Sequence, residues 1–177
     1  GGIVWIPAHK RSSTGELTTE DAMAYLRAQS LGYMDDELVE TFVHTGADML
    51  DFVEAHSDLR FEVAQGFPDY KPELPGGQPG GGRSLNTKPF NRAELGEWRD
   101  RITTFPPDFS NVGIDAETRA RIHAAVNDES GDYCVAGTSL IAGLLKALLD
   151  AGVVPHTEAR AVELVADPLG IVGVRIE

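Results

Sequence analysis

One tyrosine in this sequence is placed so that it can present its hydroxyl group to a ligand. Tyr70 lies between Pro68 and Pro72, and five of the seven residues from Gly76 to Gly82 are glycine. Because proline fixes φ and donates no backbone hydrogen bond, the tyrosine has a stiff, non-helical support. Glycine lets the backbone approach another molecule closely. The pattern fits a ligand-binding loop, and it also fits an ordinary surface loop whose tyrosine covers the core.

The glycine-rich run also comes close to the pattern of a phosphate-binding P-loop. Residues 77–84 read G-x-x-x-x-G-R-S, but that motif needs a lysine for the terminal phosphate, a buried strand before the loop and a helix after it. Arg83 replaces the lysine, Pro-Glu-Leu-Pro precedes the glycines, and no helix is predicted to follow. The sequence therefore argues against a nucleoside triphosphatase. We expect Arg83 to be structural or to shape the mouth of a substrate site.

The sequence predicts no metal site and no serine nucleophile. Its single cysteine, Cys134, adds no ligand to histidines that lack close metal-ligand spacing. Ser139 is not part of a nucleophile elbow, because Ile141 stands where that motif needs its second glycine. Packing explains His9 best, although its place near the N-terminal glycines also fits a ligand contact. The histidines are His9, His44, His56, His123 and His156.

Composition excludes several classes of function. The formal charge of −13, from 15 basic and 28 acidic residues, argues against a nucleic-acid partner, which needs clustered lysine and arginine. A single cysteine excludes an internal disulfide framework and predicts a reducing, cytoplasmic location. The longest apolar stretch, residues 135–154, contains Lys146 and Asp150, so it predicts a buried helix and not a membrane span.

Capping residues and apolar periodicity predict four main helices. The first predicted helix has Thr18 as its N-cap and reaches about residue 29, and Asp35-Asp36 opens a second that reaches about residue 56. Asp115 caps a third that reaches about residue 127, and the fourth covers residues 135–151. Strands are predicted at residues 59–63, 153–156, 161–165 and 171–176, with a four-residue turn at 167–170. A short helix carries Trp98. From residue 64 to about residue 93 no periodicity survives, and an ordered loop of that length is more often functional than passive.

Several short sequence motifs together resemble those of one flavoprotein family. It includes the 3-ketosteroid Δ1-dehydrogenases and the flavoprotein subunits of fumarate reductase and succinate dehydrogenase. The element Asp-Tyr-x-Pro-Glu at residues 69–73, followed by Pro-Gly-Gly and Gly-Arg, is fairly specific to the steroid branch. The resemblance covers nearly the whole chain. The motifs that carry it are residues 1–7, 69–73, 75–77, 82–83, 89–90, 95–96, 137–140, 152–153 and 160–165.

The resemblance implies an FAD-dependent oxidoreductase with an α/β fold (α+β as a fragment). Residues 1–177 would be part of one Rossmann-type FAD-binding domain, with a long Pro/Gly loop and a C-terminal β-hairpin. We expect a fragment of a longer polypeptide, without the dinucleotide turn and most of the substrate-capping domain. By the same resemblance, Gly1 and Gly2 approach the flavin pyrophosphate and ring, and Ala161 contributes backbone near the adenine. Ala8-His9 departs from the family pattern, in which asparagines are common.

Tyr70 is the catalytic residue that the resemblance implies. In the steroid branch this tyrosine lies at the substrate and assists a second tyrosine, the general base, which is outside this chain. Because a free phenol with a pKa near ~10 is a poor base, a neighbouring phenol that donates a hydrogen bond favours its ionisation. The implied partner is a small, 3-ketosteroid-like substrate. Two alternatives stay open: a fumarate-reductase-type flavoprotein, and a non-catalytic fragment that binds no cofactor by itself.

Overall fold

The computed structural model describes residues 1–12, 15–103, 116–126 and 132–177. They divide into two compact units, Gly1–Ala147 and Leu148–Glu177. The mixture of helices and strands agrees with the predicted fold class. In chain order the elements are β1 (Val4–Trp5), α1 (Thr19–Ser30), α2 (Asp36–Ala55), β2 (Phe61–Gln65), β3 (Gly81–Thr87), β4 (Phe90–Asn91), a 3₁₀ helix (Arg92–Arg101), α3 (Ala116–Val126), β5 (Tyr133–Cys134), α4 (Ala136–Asp150), β6 (Ala161–Asp167) and β7 (Gly170–Ile176).

Side-chain caps begin the two long helices of the first unit: Thr18 is the predicted N-cap of α1, and Asp35, predicted to open α2, is its N-cap. The Thr18 hydroxyl accepts a hydrogen bond from the Asp21 amide at 3.0 Å, and the Asp35 carboxylate accepts one from the Leu38 amide at 3.2 Å. Each cap satisfies an amide that has no partner within its helix. The observed helices, Thr19–Ser30 and Asp36–Ala55, differ from the predicted ones by one residue at the C-terminal end.

The core of the first unit lies between α2 and a three-stranded antiparallel sheet in the order β1-β3-β2. The register pairs Trp5 with Ser84 in β3. Four buried side chains from these elements form one cluster: Ile6, Leu50, Phe61 and Leu85. The sheet therefore places the C-terminal end of β1 beside the middle of β3.

Strand β3 lies within the stretch for which the sequence predicts no regular structure, so that prediction is wrong for residues 81–87. Six of the seven residues of β3 are buried, so its sequence lacks the alternation of a half-exposed strand. Two polar side chains of this buried strand have internal partners: the Arg83 guanidinium pairs with Asp69, and the Thr87 hydroxyl donates to Ser139 at 3.0 Å. Sequence patterning has no means of detecting such paired polar positions.

A second cluster forms around the start of α4. It contains Phe90, Leu95, Cys134 and Ala142. The predicted short helix near Trp98 is a 3₁₀ helix interrupted at Gly96, whose φ is +56°. Helix α4 itself begins and ends within one residue of its predicted bounds. The predicted cap of α3, Asp115, lies outside the described residues.

The second unit is a β-hairpin preceded by the last turn of α4. Strands β6 and β7 pair antiparallel around a turn at residues 167–170, in which the Asp167 carboxylate accepts from the Leu169 amide at 2.7 Å. The hairpin confirms the two predicted strands, and the strand predicted at residues 153–156 is absent from this described segment. Among the described residues, no helix combines the length and hydropathy that a membrane span needs.

Candidate functional site

Tyr70 lies in the loop between β2 and β3 and is 91% exposed. Its backbone is fixed on both sides although its side chain is free of the core. The Asp69 amide donates to the Gln78 carbonyl at 3.2 Å, and the Lys71 amide donates to the Tyr25 hydroxyl at 3.2 Å. The ring of Phe67 meets the Tyr70 ring edge-on, with 6.4 Å between ring centroids. The loop thus presents the phenol outward from a fixed base.

Asp69, the residue before Tyr70, is the centre of a buried hydrogen-bond network. Its side chain is 1% exposed. One carboxylate oxygen accepts from the Trp5 indole N–H at 2.8 Å, and the other accepts from the Gln78 amide at 2.9 Å. Arg83 donates to that second oxygen through Nη1 at 2.7 Å. The carboxylate therefore joins β1, the tyrosine loop, the glycine run and β3.

Arg83 is completely buried, in agreement with the expectation that it is structural. Besides Asp69, it donates through Nε to the Pro7 carbonyl at 2.9 Å and through Nη1 to the Gly76 carbonyl at 2.9 Å. Its Cζ lies 5.6 Å from the Trp5 ring centroid and 5.5 Å from that of Tyr25. Two aromatic faces and three oxygen acceptors thus replace most of the water around this cation, and its Nη2 is buried without a hydrogen-bond partner among the described residues.

The glycine run is explained by contacts within the chain. Gly76 has a φ of +73°, and a Cβ there would lie 2.0 Å from the Asp21 carbonyl oxygen. Gly81 has a φ of +78°, and its Cβ would lie 2.4 Å from the Phe67 carbonyl oxygen. A side chain at either position is excluded on both conformational and steric grounds. These glycines let the run fold closely around the buried arginine.

A cavity of about 280 Å³ opens beside Tyr70. Aromatic and aliphatic side chains predominate in its wall, which also includes Gln29, Asp69 and Ser84. Because the Tyr70 side chain is 91% exposed, its ring lies at the rim of the cavity. The principal lining side chains are Trp5, Tyr25, Leu26, Phe67 and Tyr70. The arrangement is suited to an apolar molecule that meets one phenol at the opening.

The N-terminal glycines pack against the beginning of α4. The Gly137 amide donates to the Gly1 carbonyl at 3.0 Å. Gly2 has a φ of +113°, and a Cβ on it would lie 2.0 Å from the Gly137 nitrogen, whereas the space around Gly1 is open within 4 Å. Gly2 is therefore required for the contact with α4.

Ala161 is an exposed residue at the start of β6, where it pairs with Ile176. It belongs to the second unit, and Gly1, Gly2 and Tyr70 belong to the first. Within the first unit, β1 connects two of the predicted sites, because the strand follows the glycine pair and its Trp5 binds Asp69 next to Tyr70.

His9 is buried, and burial lowers the pKa of its imidazole below the ordinary value of 6.5. The nearby Arg11 charge lowers that pKa further, and His9 Nδ1 accepts from the Arg11 amide at 3.1 Å. The side chain lines a second cavity of about 490 Å³ together with Lys10 and Glu16. Within the described residues, no group of three His, Cys, Asp or Glu side chains is placed to hold a metal ion.

Sequence reasoning did not assign a role to Asp69, Trp5 or Tyr25. The available signal was a charged residue directly before Tyr70 and an arginine at the end of the glycine run. Their pairing depends on the close packing of β1, the loop and β3, which no local pattern contains.

A family model described as an FAD binding domain matches residues 1–177. The 3-oxosteroid 1-dehydrogenase of Mycobacterium tuberculosis (strain H37Rv) is 40% identical over 99 residues, covering 54% of this chain and 17% of the relative. The 4-oxocyclohexanecarboxylate 2-dehydrogenase of Sinomonas cyclohexanicum is 32% identical over 187 residues, covering 93% of this chain and 30% of the relative.

The fold is similar to that of a solved structure, the 3-ketosteroid delta1-dehydrogenase from Sterolibacterium denitrificans in complex with 1,4-androstadiene-3,17-dione. The TM-score is 0.71 at 21% identity, over 99% of this chain and 35% of that one. The chain thus spans no more than 30% of the two sequence relatives and 35% of the solved structure.

Proposed function

We propose that this chain, which belongs to the FAD binding domain family, is part of a longer flavoprotein that dehydrogenates a cyclic ketone. The observation that carries the proposal is Tyr70, held at the rim of an apolar cavity by a buried network. The names of both groups of sequence relatives describe dehydrogenases of ring compounds that carry an oxo group. The activity belongs to the whole protein, of which residues 1–177 form one FAD-binding domain segment.

The residues proposed to hold FAD are Gly1, Gly2 and Ala161. The glycine pair lies against the start of α4, and a helix N-terminus fits the approach of a phosphate. Gly2 fixes that position through its contact with Gly137. The exposed backbone at Ala161 is proposed for the adenine side. FAD, when bound, supplies the acceptor for a hydride.

Tyr70 is proposed to support removal of the proton next to the ketone. Forming a carbon–carbon double bond requires one hydrogen to leave as a proton and the neighbouring one as a hydride. The proton passes to a base from another part of the protein. A hydrogen bond donated by the Tyr70 hydroxyl favours the charged form of a phenolic base, which raises the fraction ready to accept the proton.

The cavity supports a 3-ketosteroid as the first substrate candidate. Its wall is largely apolar and, among the described lining residues, contains no lysine or arginine to pair with a carboxylate. A smaller 4-oxocyclohexanecarboxylate is the second candidate, since the relative named for that compound aligns with most of this chain. A fumarate-type substrate carries two carboxylates and fits the cavity least.

The test uses the purified full-length protein. A visible spectrum first establishes whether flavin is bound, because an empty protein has no yellow absorbance. Dye reduction is then measured with a 3-ketosteroid and with 4-oxocyclohexanecarboxylate in parallel, and fumarate reduction is measured with a reduced dye. We expect the highest kcat/KM with the steroid. A yellow protein that acts only on fumarate would refute the ring-ketone proposal, and a colourless one would refute the cofactor.

A further inference from the structure

The residues on the two sides of one peptide bond in the tyrosine loop have opposite environments. Asp69 is almost completely buried and paired with the fully buried Arg83, whereas the Tyr70 side chain is 91% exposed. Among the described residues, no side chain forms a hydrogen bond that holds the Tyr70 hydroxyl. The position of that hydroxyl is therefore set by the backbone of its loop, and the backbone is set by Asp69.

The ion pair of Asp69 and Arg83 has a role beyond packing in the core. A buried pair of charges gives little net stability over apolar residues of the same size. What this pair provides is geometry: Arg83 binds Pro7 of the β1 segment, Asp69 of the tyrosine loop and Gly76 of the glycine run. The planar guanidinium has its donors in fixed directions, so it constrains all three segments together.

We propose that Asp69 and Arg83 are positioning residues for the proton-transfer step, acting through Tyr70. The inference rests on the proposed function, in which the Tyr70 hydroxyl assists a base next to the substrate ketone. A hydrogen bond to a developing charge depends on distance and angle, and a displacement of about 1 Å can reduce the rate about a hundredfold. The buried pair keeps an exposed phenol within that tolerance.

The inference is tested by a double-mutant cycle in the full-length flavoprotein. Asp69→Asn removes the charge with little change in volume, and Arg83→Lys keeps the charge but loses the fixed fork of donors. Each substitution is made alone and together with Tyr70→Phe. We expect each to lower kcat by at least about tenfold with Tyr70 present and by less than about twofold with Tyr70→Phe. The KM for the ketone should change little.

Asp132→Asn is the matched control. This carboxylate is also buried and paired with arginine, 2.7 Å from Arg99 and 3.4 Å from Arg92, but it directly precedes β5, whose Cys134 belongs to the separate cluster around Phe90. Asp132→Asn should lower the unfolding temperature, as we also expect of Asp69→Asn, and should leave kcat per bound flavin unchanged. A purely structural role for Asp69 predicts the same result for both variants.

The outcomes separate the two proposals. If Tyr70→Phe slows turnover but the Asp69 and Arg83 effects are additive to it, the positioning role is refuted and the function of Tyr70 stands. If Tyr70→Phe turns over like the wild type, both are refuted. Should the ion-pair variants fail to fold with flavin, Trp5→Phe removes the N–H donor to Asp69 and keeps an aromatic ring in the cavity wall. Additivity in that cycle refutes the positioning role equally.

Discussion

Replacing Tyr70 with phenylalanine should slow turnover of the full-length protein without loss of flavin. The substitution removes one hydroxyl from a side chain that is 91% exposed, so little packing is lost. A hydrogen bond to a charged or developing-charge group contributes about 1.5–3 kcal/mol. If that energy stabilises the transition state, kcat should fall by about one to two decades.

The assay is steady-state dye reduction with a 3-ketosteroid at matched flavin content. Tyr33→Phe provides the control, because Tyr33 is 94% exposed and lies between α1 and α2, outside the lining of the cavity beside Tyr70. Its turnover should equal that of the wild type. Unchanged turnover in Tyr70→Phe would reduce the residue to a surface tyrosine. Loss of flavin in that variant would instead place Tyr70 in the cofactor site.

Three further predictions concern residues that surround the site or lie elsewhere in the chain. An alanine in the left-handed conformation costs about 1–2 kcal/mol, and Gly76→Ala should lower the free energy of unfolding by more than that, because its Cβ meets the Asp21 carbonyl. Gly152→Ala, with a φ of +76° and open space around its Cβ, should lower it by only that amount; chemical denaturation measures both losses, and equal losses would contradict the packing argument. The folded-state pKa of His9 lies below its unfolded value of 6.5, so the unfolded state binds the proton first and stability falls as pH drops below about 6.5. His9→Asn should reduce the dependence of the unfolding temperature on pH between pH 7.5 and 5.5, and an unchanged dependence would refute this role of His9. Burial raises the pKa of Cys134 to about 11, so its reaction with a thiol reagent at pH 8 should follow unfolding, and rapid labelling of the native protein would contradict this environment.

The helices were predictable because their signals are local. Thr18 and Asp35 each cap a helix through an amide three residues later, and such a contact is visible in the sequence. The hairpin was predictable for the same reason, since a turn at residues 167–170 separates two apolar runs. The strand predicted at residues 153–156 failed because apolar composition alone does not supply a partner strand.

The candidate site was predictable only in part. Proline and glycine around Tyr70 predicted an ordered loop, and the structure has a loop between β2 and β3. The glycines approach the chain's own backbone at Asp21 and Phe67. The buried pair of Asp69 and Arg83 was not predictable, because its energetics depend on the removal of water by segments distant in sequence, including Trp5.

The contact between Gly1 and Gly137 places the two ends of the first unit together, and this has a consequence for synthesis on the ribosome. The glycine pair is synthesised before α4, and its partner at the start of that helix is added 136 residues later (137 − 1). At about 5–20 residues per second, that interval lasts about 7–27 seconds. Strand β3, which pairs with β1, ends at Thr87 and is therefore synthesised within that interval. The proposed cofactor position is thus completed late, and a ribosome-bound chain that ends before residue 137 should lack it.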